Sequence, residues 1–243
     1  MRLQDHMAHS GDLLFRWRSY LPLLFVPLVV ASFLGVAYPR HSHVLGLAWE
    51  LGCLVLALLG LAVRVYTVGT APSGTSGRNT KAQRADVLNT DGPYSLVRHP
   101  LYVGNALCFV GIAAFPRSWS LIVIVMLAAT LYYERIAARE EQFLEEKFGD
   151  DFRRWAARTN AVWPRLSRFV PSSRPFRPKK ALRQEIYGLS AIVTTFFAMD
   201  VLEDLIVHGR LEFDPMWTTL FVVVAGAFLV VRTLKKKTAL LAD

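Results

Sequence analysis

The chain alternates long apolar runs with short polar connections, which is the pattern of a membrane protein that crosses the bilayer several times. Four runs come close to the ~20 residues that a helix needs to span a bilayer core: 20–38, 47–69, 186–207 and 216–231. A shorter pair, 101–115 and 119–133, is interrupted by Pro116-Arg117-Ser118, which favours a helical hairpin. The pattern predicts an all-α polytopic membrane protein with about six transmembrane helices.

Three parts follow from this layout. Residues 1–69 form a predicted N-terminal anchor of two spans, and residues 70–165 form a core of polar loop, helical hairpin and amphipathic helix. Residues 166–243 contain a proline- and arginine-rich linker and a C-terminal two-span hairpin. The first run ends in Tyr38-Pro39-Arg40 without a small-residue cleavage site, so we expect an uncleaved span and not a signal peptide.

The second helix of the hairpin is predicted to extend beyond the bilayer. Pro100 suits the first turn of the preceding helix, because its missing N–H would be unpaired there in any case. The second helix is expected to begin at Ser118 or Trp119 and to stop at Gly149. On its polar extension Phe143 and Phe148 share one apolar face, which is typical of an amphipathic helix lying on the cytoplasmic membrane surface.

Charge distribution predicts the orientation of the chain. Its net charge is +9, with 53% hydrophobic and only 19% charged residues. Basic residues gather in 78–98, in 135–183 and in Lys235-Lys236-Lys237, so the positive-inside rule places both termini in the cytoplasm. We expect an integral protein of a bacterial inner membrane. Because the charge follows the membrane boundaries and no binding motif accompanies it, no nucleic-acid partner is expected.

An acidic group near the outer end of the fifth span raises the question of a metal site. Asp200, Glu203, Asp204 and His208 recur at helical spacing there. Oxygen-rich clusters at a membrane boundary are more often paired or solvated, and Arg210 is an available partner. No bound metal is therefore predicted.

The segment 92–104 carries the densest chemistry, where a polar loop enters an apolar helix. It places Arg98 and His99 directly before Pro100, with Tyr94 and Tyr102 on either side. Ionisable groups at a membrane boundary are costly to keep, so they indicate a site. Glu140 and Glu141 follow the next apolar segment, and adjacent helical residues point about 100° apart, so one of them is expected to face the pocket. The two clusters predict one pocket at the cytoplasmic face.

At these residues the chain resembles the isoprenylcysteine carboxyl methyltransferase and phospholipid methyltransferase family. The likeness covers roughly 79–164: G-x-Y-x-x-x-R-H-P-x-Y-x-G at 92–104, then the Glu140-Glu141 pair and Phe148-Gly149. It implies S-adenosylmethionine as methyl donor and a lipid or lipophilic acceptor. The cofactor-binding residues that it implies are Tyr94, His99, Pro100, Leu101, Tyr102, Glu140 and Glu141, with loop contacts at Asn79, Asp86, Val87, Leu88 and Asn89.

The resemblance also implies roles. Arg98 is expected to hold an anionic group of acceptor or cofactor, His99 to orient the cofactor, and Glu140 to bind its amino acid or ribose end. The prenylcysteine enzymes place an arginine one turn before the glutamate, where this chain has Ile136, so the acceptor stays open between a phosphate, an amine and a carboxylate.

Two alternatives stand beside methyl transfer. Membrane sterol or enone reductases that use NADPH carry a similar R-H-P-x-Y ending, although they favour Asn at the position of Leu101. A lipid-binding or scaffold protein could keep the fold without catalysis, but it would have no need of the full Arg-His-Tyr-Glu set. The oligomeric state is left open.

Overall fold

The computed structural model describes residues 21–34, 43–72 and 85–238, and these ranges contain helices and irregular backbone without any strand. The predicted all-α class is therefore confirmed for this part of the chain. A 3₁₀ turn over Leu21–Phe25 precedes the first helix. The α-helices are α1 Val26–Leu34, α2 His43–Thr70, α3 Pro93–Leu96, α4 Pro100–Ala114, α5 Trp119–Phe148, α6 Asp150–Arg158, α7 Pro178–Glu203 and α8 Pro215–Lys237. A second 3₁₀ turn lies at Leu166–Arg168, and a π-helical turn at Asp204–His208 follows α7. Asn79 and both ends of the first predicted span lie outside the described residues.

Three helices in the described ranges are long and apolar enough to cross a bilayer. They are Leu45–Thr70 within α2, Trp119–Phe148 and Pro215–Lys237. Two shorter apolar helices, Leu23–Leu34 and Pro100–Ala114, accompany them. The chain is thus an integral membrane protein, whereas the count of six crossings and the cytoplasmic termini stay predictions.

The hairpin of α4 and α5 begins and ends at residues with a clear local cause. Pro100 occupies the first turn of α4, and Ser118 caps α5 by accepting a hydrogen bond from the Leu121 N–H. Helix α5 runs unbroken to Phe148, and Gly149 ends it with a φ of 51°, a value that side chains disfavour. The start and stop predicted from the sequence are confirmed, and the separate short helix α6 follows Gly149.

Close packing of α2 against α4 fixes the position of the hairpin. A Cβ atom on Gly60 would lie 2.4 Å from the carbonyl oxygen of Gly104, and one on Gly111 would lie 2.6 Å from that of Cys53. The two backbones therefore touch, as small residues allow between membrane helices. A buried apolar cluster also joins α2 to α7 and α8; it includes Leu54, Ala57, Leu61, Ile192, Phe196 and Trp217.

An ionic cluster closes the end of the bundle that lies opposite Pro100. The Arg117 guanidinium, in the turn between α4 and α5, lies 3.3 Å from carboxylate oxygens of both Glu50 and Glu203. The indole N–H of Trp217 donates to the other oxygen of Glu50 at 3.2 Å. Glu203, part of the acidic group noted in the sequence, thus has an ion pair with an arginine other than Arg210.

Candidate functional site at the start of helix α4

The segment that carries Arg98 and His99 is held in place by the chain that follows α6. The backbone N–H of Arg98 donates to the Asn160 carbonyl at 2.8 Å, and that of His99 donates to the Ala161 carbonyl at 3.2 Å. These two bonds fix the backbone just before Pro100, which begins α4. The side chains at 98 and 99 are therefore presented by a braced segment at the helix entrance.

His99 lies between the two adjacent glutamates of α5. Its Nε2 lies 2.8 Å from Oε1 of Glu141, and its Nδ1 lies 3.4 Å from Oε2 of Glu140. The side chain is buried, with 6% of the residue exposed. The structure thus brings the helix entrance and the predicted second cluster into direct contact.

The carboxylates determine the charge of this imidazole. Burial alone disfavours the charged ring, but hydrogen bonds and charge from Glu140 and Glu141 outweigh it and raise the pKa of His99 to about 9. At neutral pH the ring is an imidazolium, and both of its nitrogens are donors. His99 therefore acts as a positive bridge between two negative groups.

Arg98 and Glu141 form the rigid half of the site. The guanidinium donates from Nε to Oε1 of Glu141 at 2.7 Å and from a terminal nitrogen to Oε2 at 3.3 Å. Its other terminal nitrogen donates to the carbonyls of Thr159 at 2.7 Å and Ala156 at 3.1 Å. Both oxygens of Glu141 are engaged, so this pair fastens α5 to α6 and to the segment before α4.

Glu140 forms the open half. Its contacts with His99 and with the Tyr102 hydroxyl, which donates at 2.8 Å, both involve Oε2. The side chain keeps 40% exposure, against 26% for Glu141. Glu140 can therefore accept further hydrogen bonds from a ligand, and the structure separates the two neighbouring glutamates into an open carboxylate and a fastened one.

Stacked aromatic rings extend inward from His99. The Tyr102 ring stacks on His99, with centroids 5.1 Å apart, and on Tyr133 of α5, with centroids 4.8 Å apart. Tyr102 is consequently held on both faces while its hydroxyl is directed at Glu140. Sequence analysis missed Tyr133, although it lies two helical turns before Glu140 and so shares its face of α5.

The loop that leads to the site contributes unevenly. Asn89 hydrogen-bonds the Tyr94 side chain, and burial together with the charge of Glu140 raises the pKa of Tyr94. Trp155 of α6 donates its indole N–H to the Tyr94 carbonyl at 3.2 Å.

The remaining predicted positions differ in exposure. Asp86 and Val87 lie exposed on the loop, Leu88 and Leu101 are half-buried, and Pro100 is buried. Among the described residues no hydrogen bond joins 86–88 to His99 or Glu140. Ile136, where the prenylcysteine enzymes place an arginine, is buried, so no cation replaces that arginine at this position.

Comparisons with known proteins show which family the chain resembles over its central part. The sequence model of the phospholipid methyltransferase family matches residues 47–151, which include the whole α4–α5 hairpin. The cobalt-zinc-cadmium resistance protein CzcN of Cupriavidus metallidurans is 36% identical over 151 residues, covering 59% of this chain and 67% of that protein. The nickel-cobalt-cadmium resistance protein NccN of Alcaligenes xylosoxydans xylosoxydans is 35% identical over 157 residues, covering 65% and 67%. No solved structure matches the chain.

These matches extend over a longer part of the chain than the motif at 92–104. The chain belongs to the phospholipid methyltransferase family of membrane proteins. Membership implies methyl transfer at a membrane.

Proposed function

We propose that this member of the phospholipid methyltransferase family transfers a methyl group from S-adenosylmethionine to a lipid or lipophilic acceptor at the cytoplasmic face of the membrane. One observation carries the proposal. A half-exposed carboxylate, Glu140, is held by a tyrosine hydroxyl and an imidazolium at the start of an apolar helix. Such a carboxylate beside the bilayer is poised for a polar ligand that reacts with a lipid.

The residues present fit this cofactor by their chemistry. An amino acid end offers an ammonium and a carboxylate, and a ribose offers two hydroxyls. Glu140 would accept from the ammonium or from the ribose hydroxyls through charge-assisted hydrogen bonds. The N-terminal turn of α4 would receive the carboxylate, since helix N-termini attract anions. Pro100 has no N–H and that of Tyr102 donates to the His99 carbonyl, so Leu101 is the residue of Pro100–Tyr102 that would donate to it. Tyr94, which Asn89 hydrogen-bonds, would form a further side of the cofactor site.

The protein's own part in the reaction is alignment and the exclusion of water. When bound, S-adenosylmethionine supplies a methyl group that is already electrophilic because it is attached to a sulfonium. Tyr102 and His99 hold Glu140 in one orientation, and the fastened Arg98–Glu141 pair keeps α5 at a fixed distance from α4. Such fixed placement of two reactants can lower a barrier by several kcal/mol.

The acceptor would approach from the lipid side. Helix α5 exposes apolar side chains such as Leu127 and Leu131 along its membrane portion, so a lipid can approach the hairpin sideways. Because both oxygens of Glu141 and four of the five N–H donors of Arg98 already have partners, the fastened pair would act on the acceptor chiefly through the position of α5. A phosphate, an amine and a carboxylate remain candidate acceptors.

The reductase alternative is the less favoured one. The family match supports methyl transfer and speaks against a nicotinamide-dependent reductase of sterol or enone double bonds. Addition of NADPH and a sterol enone to purified protein, followed at 340 nm, separates the two activities. Methyl transfer predicts no loss of absorbance above the rate without protein.

A transfer assay in membranes tests the proposal. Membranes containing the wild type and membranes containing the His99→Ala, Glu140→Ala double variant would receive S-adenosylmethionine labelled in its methyl group. The proposal predicts label in the lipid extract of the wild type alone, with equal amounts of inserted protein. Equal lipid labelling by both would refute the assigned site, and no labelling by a folded wild type would refute the activity.

The two relatives suggest a cellular setting, because their names connect them with resistance to cobalt, cadmium, zinc and nickel. We propose that methyl transfer by this chain contributes to metal tolerance. A deletion strain complemented with the wild type should outgrow one carrying the double variant on cadmium or cobalt. Equal growth of the two would refute this contribution while leaving the enzymatic activity open to its own test.

A further inference from the structure

An ion pair joins α2 to α7 beside the first turns of α4, outside the cluster formed by Arg98, His99 and the two glutamates. The guanidinium of Arg64 in α2 donates to both oxygens of Glu185 in α7, at 2.8 Å and 2.7 Å. The Glu185 side chain is 4% exposed and that of Arg64 is 19% exposed. Two charges in these surroundings carry a desolvation cost, so a parallel two-bond geometry is needed to retain them.

Arg64 has a third partner, which points toward the site. Its remaining terminal nitrogen donates to the side-chain oxygen of Asn105, in the second turn of α4. The Asn105 side chain in turn hydrogen-bonds the Tyr133 hydroxyl. The amide is thus fixed at both ends, by a guanidinium on one side and a tyrosine on the other.

Tyr133 connects this network to Glu140. Its ring stacks on Tyr102, and Tyr102 stacks on His99 and donates to Glu140. A continuous series of contacts therefore runs from Glu185 to the open carboxylate, through α7, α2, α4 and α5. Each member has a defined orientation, since every link is either a hydrogen bond or a ring stack.

We propose that Arg64 is a positioning residue for the cofactor site and that Glu185 is the counter-ion that orients it. The inference rests on the proposed function, because the site that is positioned is the one assigned to S-adenosylmethionine. Glu185 lies beyond residues 47–151, which the family model matches, so the C-terminal helices complete the site from outside that region. This gives α7 a role that its apolar sequence did not indicate.

Stability alone does not require the pair. Well-packed apolar residues of similar volume often replace a buried ion pair without loss of stability, whereas removal of one partner leaves an uncompensated charge. The double variant Arg64→Met, Glu185→Leu therefore separates packing from positioning. It keeps volume and removes both charges together, but it also removes the group that fixes Asn105.

The test measures the dissociation constant of S-adenosylhomocysteine by calorimetry, together with the thermal unfolding temperature. We expect the double variant to unfold within a few degrees of the wild type and to bind about tenfold more weakly. Asn105→Leu, which leaves the ion pair intact, should weaken binding to a similar extent; it also serves as the reporter should the double variant fail to fold.

A matched control comes from the ion pairs at the opposite end of the bundle. Arg117→Met breaks the contacts of Arg117 with Glu50 and Glu203, far from Glu140. It should lower the unfolding temperature and leave the dissociation constant unchanged. That result would show that a loss of stability does not by itself weaken the binding of S-adenosylhomocysteine.

The outcomes are distinct. Wild-type affinity in a folded double variant or in a folded Asn105→Leu would show that the network is only structural and would overturn the inference. A folded wild type that binds no S-adenosylhomocysteine would instead overturn the proposed function, and the inference would fall with it.

Discussion

The charge state of His99 yields the sharpest prediction. Glu140 and Glu141 keep its imidazole protonated at pH values where the unfolded chain would release the proton. The imidazole lies between Glu140 and Glu141 and is almost fully buried. Its pKa rises from 6.5 to about 9 in the folded protein, with burial opposing the shift and the two carboxylates driving it. The native state therefore binds a proton more tightly than the unfolded state does.

The sign and size of the effect follow by linkage. A raised pKa contributes stability that is fully present below the unfolded value of 6.5 and is lost as the pH rises through about 9. At 1.36 kcal/mol per pH unit, the shift corresponds to roughly 3 kcal/mol. Between pH 6 and pH 10 the free energy of unfolding should therefore fall by roughly that amount on account of His99 alone.

Unfolding in mixed micelles at several pH values provides the assay. Other groups titrate in the same range, so the quantity to follow is the difference in free energy of unfolding between the wild type and His99→Gln. That difference should shrink by about 3 kcal/mol from pH 6 to pH 10. A difference that stays constant across this range would refute the imidazolium bridge.

Further predictions concern the two glutamates, the helix contact and the alternative activity. Glu140→Gln should weaken S-adenosylhomocysteine binding about tenfold with little change in unfolding temperature, whereas Glu141→Gln should lower that temperature because Arg98 loses its charged partner. Calorimetry and thermal unfolding on the same samples check both predictions. The reverse pattern would contradict the assignment of Glu140 as the open carboxylate and Glu141 as the fastened one. Gly60→Ala should destabilise the protein by about 1–3 kcal/mol, because its Cβ would meet a carbonyl oxygen, while Gly226→Ala, with nothing within 4 Å, should be neutral or slightly stabilising. Equal unfolding free energies for the two glycine variants would contradict the close α2–α4 contact. NADPH oxidation with a sterol enone should not exceed the rate without protein, and a protein-dependent rate lost in Glu140→Gln would favour the reductase.

Local chemistry explains why the sequence could predict the hairpin. Pro100, Ser118 and Gly149 act on the backbone at their own positions, so the ends of α4 and α5 do not depend on distant contacts. Contact between His99 and Glu140 was also predictable, because the two helices of one hairpin pack side by side and bring the polar clusters at their shared end close together.

The start of α7 was not predictable from hydrophobicity. The apolar run begins at Ile186, but the helix begins at Pro178. Its first turns are polar and still ordered, because the buried Lys180 donates to the carbonyls of Ala71 and Pro72 at the end of α2. An apolar run marks the part of a helix that faces lipid or the protein core. The helix itself can extend into polar sequence where other contacts hold it, as Lys180 does here.

The different roles of the residues within the site could not be predicted from the sequence. Which of Glu140 and Glu141 is open depends on the rotation of α5, and the partners of Arg98 include the carbonyl of Thr159, which no side-chain pattern announces. Arg64 and Glu185 lie 121 positions apart, so only the packing of α2 on α7 brings them together.

The central claim is that His99 and Glu140 together hold one methyl donor beside the bilayer. Calorimetric titration of the purified wild type and of Glu140→Gln with S-adenosylhomocysteine tests it most directly. We predict one binding site per chain in the wild type and at least tenfold weaker binding in a variant that is equally well folded. Absence of binding to a folded wild type, or equal binding by both proteins, would contradict the claim.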